Sequence, residues 1–414
     1  MKKMIKKLTV ALTIASMLIF SLSGVYSLYL PDSYRVTDLH NVISPPVAGV
    51  SIENISSVTA VPAASSSDSH QGTYNGRLML GGVIPIKDVT LDLSEDIQVI
   101  PCGTPFGVKM FTQGVMVVKT DTVTVNGRTC CPAAEGGIEV GDVILKVNDD
   151  SIRSNEELSQ IVSHANGEKI SLDVMRDDKN LKLSITPVQT SPQGDYKIGL
   201  WVRDSSAGIG TVTFYQAESK TFGGLGHGIC DVDTGALMSL SQGDIVQAKL
   251  DSITKGIKGT PGALNGHFDN DVAIGTLLSN CETGVYGYME ESPADNTPVE
   301  VASKHEVRTG SAKILTTISG DQAQYYDIEI ESINYNQDTA SKNMTIKITD
   351  ETLLEKTGGI VQGMSGSPIL QNGKLVGAVT HVFVNEPEKG YAIFSENMLA
   401  DLVESTAKNR DIAA

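Results

Sequence analysis

Apolar residues are laid out along this chain in three ways. At the N-terminus they run together: 8–20 is almost unbroken and continues with interruptions to Leu30. Through the middle they come in short runs set between glycines, at 80–86, 97–100, 115–118, 170–176 and 181–187. Runs of that length predict strands. One segment has the helical period instead. Leu158, Ile161, Val162 and Ala165 fall at i, i+3, i+4 and i+7, Ser154 and Glu157 form a capping-box pair, and Asn166-Gly167 stops the helix predicted over 154–165. Beyond Ile198 the runs at 198–202, 209–215, 245–253, 312–318, 326–333 and 344–348 predict an antiparallel barrel or a pair of barrels. A helix over 395–407, with Met398, Leu399, Leu402 and Val403 on one side, ends the pattern. No internal repeat is visible.

These runs divide the 414 residues into a leader and two domains. Lys2, Lys3, Lys6 and Lys7 precede the apolar run, so 1–30 reads as an export signal or a membrane anchor. Residues 31–77 are rich in Ser, Pro and Ala without a sustained period and read as a flexible arm open to cleavage. A first domain with its lead-in strands follows at 78–188, then a linker at 189–197 and a second domain at 198–414. Forty glycines and an aromatic content of 5% fit short strands and turns, giving a mainly β chain. A net charge of −17 leaves no electrostatic footprint for nucleic acid. The five cysteines include no Cys-x-x-Cys pair, which excludes a dense disulfide framework and the usual zinc spacing; most read as buried small apolar residues, with room for one disulfide. No metal or organic cofactor is implied.

The first domain carries a Gly-Asp turn in Gly137-Ile-Glu-Val-Gly-Asp-Val-Ile144, between the strand at 115–118 and the helix at 154–165. It resembles a PDZ domain of the bacterial protease type, which takes an extended peptide as an added strand. On that resemblance Gly103, Thr104, Pro105, Phe106, Gly107 and Val108 form the loop that captures a terminal carboxylate.

The second domain carries Gly363-Met-Ser-Gly-Ser-Pro368, and Asn372-Gly373 marks a hairpin just after it. A serine in such a turn presents its hydroxyl off a tight bend, and the N–H groups of Gly363 and Ser365 can point at one spot, an oxyanion hole. No long helix follows, so the context is chymotrypsin-like rather than that of an α/β-hydrolase. A nucleophilic Ser365 needs a base. His227, in the glycine-packed stretch 221–229, precedes it in the chymotrypsin order, with His267 and His381 as rivals. Met364 occupies the place of the aspartate that switches trypsin-type zymogens, so activation takes another route, which we read as self-clipping of the arm.

Gly224-Leu-Gly-His-Gly-Ile229, Gly363-Met-Ser-Gly-Ser-Pro-Ile369 and Gly103-Thr-Pro-Phe-Gly-Val108 together resemble the sporulation stage IV protein B peptidase family over nearly the whole chain. The resemblance implies a PDZ-like domain followed by a chymotrypsin-like double β-barrel peptidase, with His227, Asp350 and Ser365 as its catalytic positions. Asp231, Asp269 and Asp271 compete with Asp350 for orienting the imidazole. It further implies an exported serine endopeptidase of endospore formation. Such an enzyme is sent from the forespore to the intermembrane space, processes its own N-terminal arm and cleaves a membrane-bound regulator that signals to a late mother-cell sigma factor. The alternatives are a non-catalytic PDZ scaffold on a dead protease fold and an envelope quality-control protease of the HtrA type.

Overall fold

The computed structural model of the chain describes residues 2–36, 49–57, 72–93, 96–177, 179–335 and 340–413. Two closed β-barrels dominate it. The second is the simpler: strands Gly310–Thr316, Gln324–Ile333, Met344–Ile348, Glu386–Phe394, Lys374–Phe383 and Pro368–Gln371 pair in that order and close on the first. Ile314, Ile328, Ile330, Ile346, Ile369 and Val379 fill its interior because alternate residues of each strand point inward.

The first barrel closes through a pairing that joins strand Pro105–Thr120 to strand Leu200–Gln216. The ring runs from Pro105–Thr120 through Leu240–Thr254, Ala263–Cys281, Gly284–Met289 and Thr221–Gly224 to Leu200–Gln216 and back. Phe106, Val108, Met110, Val212, Phe222 and Ile245 make its core. Three of these strands escape the sequence pattern: Thr221–Gly224, Ala263–Cys281 and Gly284–Met289. Their glycines mask the apolar alternation and are there for close approach. A Cβ on Gly287 would lie 2.1 Å from the carbonyl oxygen of Thr276.

The PDZ-like unit is an excursion from this barrel. Strand Pro105–Thr120 leaves the barrel after Thr112, and its far end pairs at Val115 and Met116 with strand Val143–Val147. Strands Ile170–Arg176 and Lys179–Ile185 extend the sheet, and helix Asn155–His164 packs Leu158 and Val162 against it. The chain then returns to the barrel in strand Leu200–Gln216. The Gly-Asp turn has a structural reason. Asp142 is buried and takes two hydrogen bonds from the guanidinium of Arg176, at 2.6 and 2.7 Å. The linker expected at 189–197 lies between strand Lys179–Ile185 and strand Leu200–Gln216. The first barrel takes in residues ahead of the PDZ-like unit, and the stretch 189–197 leads into a strand common to both.

The N-terminal region departs from expectation only after its apolar helix. Helix Lys2–Tyr29 is long and apolar enough over 5–29 to cross a membrane. The arm expected at 31–77 instead supplies strands to a four-stranded sheet. Ser33–Val36, Ile84–Leu93, Gly72–Leu80 and Val50–Ser57 lie side by side in that order around buried Tyr34, Leu78 and Leu91. Residues 37–48 and 58–71 of the arm, with His40 and His70, lie outside the described residues. The single strand expected at 80–86 is a hairpin turn, since Gly81 and Gly82 take φ of +62° and +68°. Helix Ser395–Ala413 buries Met398, Leu399 and Leu402 against Phe214 and Tyr286 of the first barrel and Leu375 and Ile393 of the second, which fixes the two barrels to each other. All five cysteines are free.

Candidate active site

A cleft of about 780 Å³ is lined by both barrels, and His227 and Ser365 both face it. His227 follows the first-barrel strand Thr221–Gly224. Ser365 sits in the turn before the second-barrel strand Pro368–Gln371. The turn is held from across the interface by strand Leu200–Gln216. Thr211 donates its N–H to the carbonyl of Ser365 at 3.1 Å and its hydroxyl to that of Gly363 at 2.7 Å, and the hydroxyl of Thr213 reaches the carbonyl of Gly366 at 2.7 Å. Gly366 is obligatory here. Its φ is +94°, and a Cβ would meet the Thr211 oxygen at 2.1 Å. Thr211 and Thr213 are site residues that the sequence reading missed, because a threonine in a strand carries no signal of its own.

The amide N–H groups of Met364, Gly366 and Ser367 bond to the carbonyls of Val361, Val379 and Met364. Those of Gly363 and Ser365 have no such backbone partner among the described residues. The hydroxyl of Ser365 donates to the carbonyl of Thr380 at 2.7 Å.

The Nδ1 of His227 lies 2.9 Å from the carbonyl oxygen of its neighbour Gly228. A carbonyl only accepts, so Nδ1 carries the proton and Nε2 is left with its lone pair. Burial lowers the His227 pKa below 6.5, partly offset by that hydrogen bond, and the ring is neutral at pH 7.

Among the described residues no carboxylate is bonded to His227. Asp350 is the N-cap of helix Glu351–Thr357. It accepts from the N–H of Leu353 at 3.0 Å and faces the N–H of Asp327 at 3.4 Å. That role corrects its assignment as the orienting acid. Ile348-Thr-Asp350 reads equally as a strand end and a helix cap, and capping wins. Asp231 is buried but committed to Arg203 and to the N–H groups of Asp233 and Thr234. Asp269 pairs with Lys249 at 3.0 Å. The side chain of Asp271 lies outside the described residues. Of the rival histidines, His267 is exposed and bonds to Asp251 at 2.9 Å, whereas His381 lines the cleft with its ring centroid 4.8 Å from that of His227.

The loop expected to capture a carboxylate is corrected as well. Residues 105–108 are interior to the first barrel, paired on one side with strand Leu200–Gln216 and on the other with Leu240–Thr254, so this stretch has no free edge for a peptide. Phe106 is buried in the barrel core, and Gly103 bonds to Val212 and Thr317. The PDZ-like unit has a cleft elsewhere. A pocket of about 490 Å³ lies between helix Asn155–His164 and residues 195–202, lined by Leu158, Val162, Ile198 and Leu200. Its strand wall is the start of Leu200–Gln216, which pairs with 116–120 on one side only. Gly199 turns into it with φ +77°, where a Cβ would meet the Asp121 oxygen at 2.3 Å. Ile198-Gly199-Leu200, an apolar–glycine–apolar step, was the signal available in the sequence.

Among the described residues no group of three or more His, Cys, Asp or Glu side chains is placed to hold a metal ion. Residues 194–399 match the family model of SpoIVB peptidase S55, and residues 105–186 that of the PDZ domain. The chain belongs to the SpoIVB peptidase S55 family. Among curated proteins it is similar to the "Probable periplasmic serine endoprotease DegP-like" of Pseudomonas putida strain GB-1, 31% identical over 191 residues, which are 43% of this chain and 36% of that protein. The protein of the same description from Pseudomonas savastanoi pv. phaseolicola is 34% identical over 125 residues, 28% of this chain and 26% of its own. The chain thus matches about a third of the length of these relatives or less. Among solved structures, the HtrA-type protease AlgW with decapeptide covers 52% of this chain and 58% of its own at 14% identity and a TM-score of 0.30. The inactive form of the Rv3671c protease covers 47% and 83% at 13% identity and a TM-score of 0.26. At such scores these likenesses add nothing to the fold, which stands on the strand pairing above.

Proposed function

We propose that this S55-family chain is an exported serine endopeptidase in which Ser365 is the nucleophile and His227 its general base. The observation that carries the reading is the shared cleft: Ser365 and His227 arrive from different barrels and face the same space. Ser365 turns its hydroxyl from Thr380 toward Nε2 of His227, which takes the proton as Oγ attacks a peptide carbonyl. The uncommitted N–H groups of Gly363 and Ser365 receive the oxyanion. The imidazolium then protonates the leaving amine, and water releases the acyl group. The residues present supply each of these steps without a cofactor.

The groove at 195–202 is the place for an extended peptide added as a strand, which would bring substrates to the peptidase. For the biological role we adopt endospore formation, with export from the forespore, self-processing of the N-terminal region and cleavage of a membrane-bound regulator. The family supports that role, and the apolar N-terminal helix supports export. The DegP-like relatives favour broad envelope proteolysis as a second reading. Treating the full chain, Ser365→Ala and His227→Ala with a fluorophosphonate probe tests the chemistry. Labelling of the wild type alone is expected, and equal labelling of Ser365→Ala would end the proposal. Digestion of an unfolded protein at many sites would favour envelope proteolysis, and cutting at one or two sites favours signalling.

A further inference from the structure

A histidine base that gains a proton inside a cleft needs a partner that holds its ring and tolerates its charge. No carboxylate bonds to His227 among the described residues; its Nδ1 is held by a backbone carbonyl. An aromatic side chain beside it is His381. The two rings lie 4.8 Å apart, tilted by 38°, and both line the cleft with Ser365. His381 comes from strand Lys374–Phe383, directly after Thr380, whose carbonyl holds the Ser365 hydroxyl. One short stretch of backbone therefore sets both the serine and the ring beside its base.

We propose that His381 is a positioning residue, which packs against His227 and steadies its imidazolium. The inference rests on His227 being the base. A neutral imidazole suits the task because it offers a lone pair and a dipole to a neighbouring cation without adding charge. His381 stays neutral over the working range, since burial, then His227 and Lys342, lower its pKa to about 4. The groups that face it are His227, Lys342 and, on the paired strand, Tyr391, with Glu282 on the rim of the same cleft.

The test is the rate of fluorophosphonate labelling of the full chain against pH, in wild type, His381→Phe, His381→Ala and His227→Ala. Phenylalanine keeps a ring but no lone pair. It should slow labelling by roughly ten- to a hundredfold and move the acid limb to lower pH, because the His227 imidazolium loses support. His381→Ala should be slowed as well and partly restored by added imidazole, which a purely structural loss would not be. The inference is overturned if either folded variant labels at the wild-type rate with an unmoved acid limb, or if His381→Ala is slow and indifferent to imidazole. Undiminished labelling of His227→Ala would instead overturn the underlying reading of the base.

Discussion

The hydroxyl of Ser365 is bonded to the carbonyl of Thr380 at 2.7 Å and makes no hydrogen bond to His227. The serine is therefore parked, and acylation begins with a rotation about its side chain. Burial holds the His227 pKa below 6.5, so the base is ready over a wide range. Labelling at Ser365 requires the neutral ring, so it should be flat at neutral pH and fall on acidification with a midpoint below 6.5. A midpoint above that value would contradict the buried, carbonyl-bonded imidazole.

Asp350 separates a capping role from a catalytic one. Its carboxylate closes the first turn of helix Glu351–Thr357. Asp350→Ala should lower stability by about 1 kcal/mol, while Asp350→Asn, which still caps, should be nearly neutral. Neither should change the labelling rate of folded protein. A large loss of labelling in Asp350→Asn, with an unchanged denaturation midpoint, would return this residue to the catalytic machinery.

Thr211 tests how the nucleophile turn is held. Its hydroxyl bonds to the Gly363 carbonyl at 2.7 Å, next to an amide assigned to the oxyanion. Thr211→Val keeps the shape and removes that bond. Its labelling rate should fall by about tenfold, and turnover of a peptide substrate should lose kcat more than it raises KM. An unchanged kcat would mean that the turn is fixed without it.

His305 makes acid a stress on the fold. It is buried beside Tyr34, and burial, opposed by Glu306, lowers its pKa from 6.5 to about 4. The unfolded chain takes up this proton near pH 6.5 and the folded protein only near 4. Stability is thus full above 6.5, declines across the window and levels off below 4, a loss of about 3 kcal/mol. Urea midpoints at pH 7 and pH 4.5 should differ more in the wild type than in His305→Gln. Equal differences would show that this proton is not what the fold resists.

Phe106 distinguishes a barrel from a binding loop. It is 1% exposed inside the first barrel. Phe106→Ala should cost about 3–5 kcal/mol of stability. Retained stability with lost peptide binding would be the outcome expected of a groove residue and would contradict the strand pairing.

Much of this was legible in the sequence, for reasons that differ by element. The groove helix carried its stripe and cap in Ser154, Leu158 and Val162. The second barrel carried clean alternation in Ile314, Ile328 and Ile346. The serine turn was visible because Gly363 and Gly366 must have positive φ to shape it. What stayed hidden depends on partners far away in the chain. Strand Gly284–Met289 is glycine-rich because neighbouring backbones press on it, and no local pattern says so. Phe106-Gly107-Val108 has the composition of a carboxylate-binding loop, and only the two strands beside it decide otherwise. Asp350 has the right residue type and motif, but its geometry belongs to a helix end.

Strand Leu200–Gln216 borders the cleft beside helix Asn155–His164 at Leu200 and clasps the serine turn at Thr211. Expressing residues 198–414 alone would strip Pro105–Phe111 from its flank and leave two rows of bare peptide groups facing water, on 205–211 and on 240–247. A fragment cut there is expected to clump or to stay unfolded. The same severance would rob that cleft of a wall, so neither half is a free-standing module.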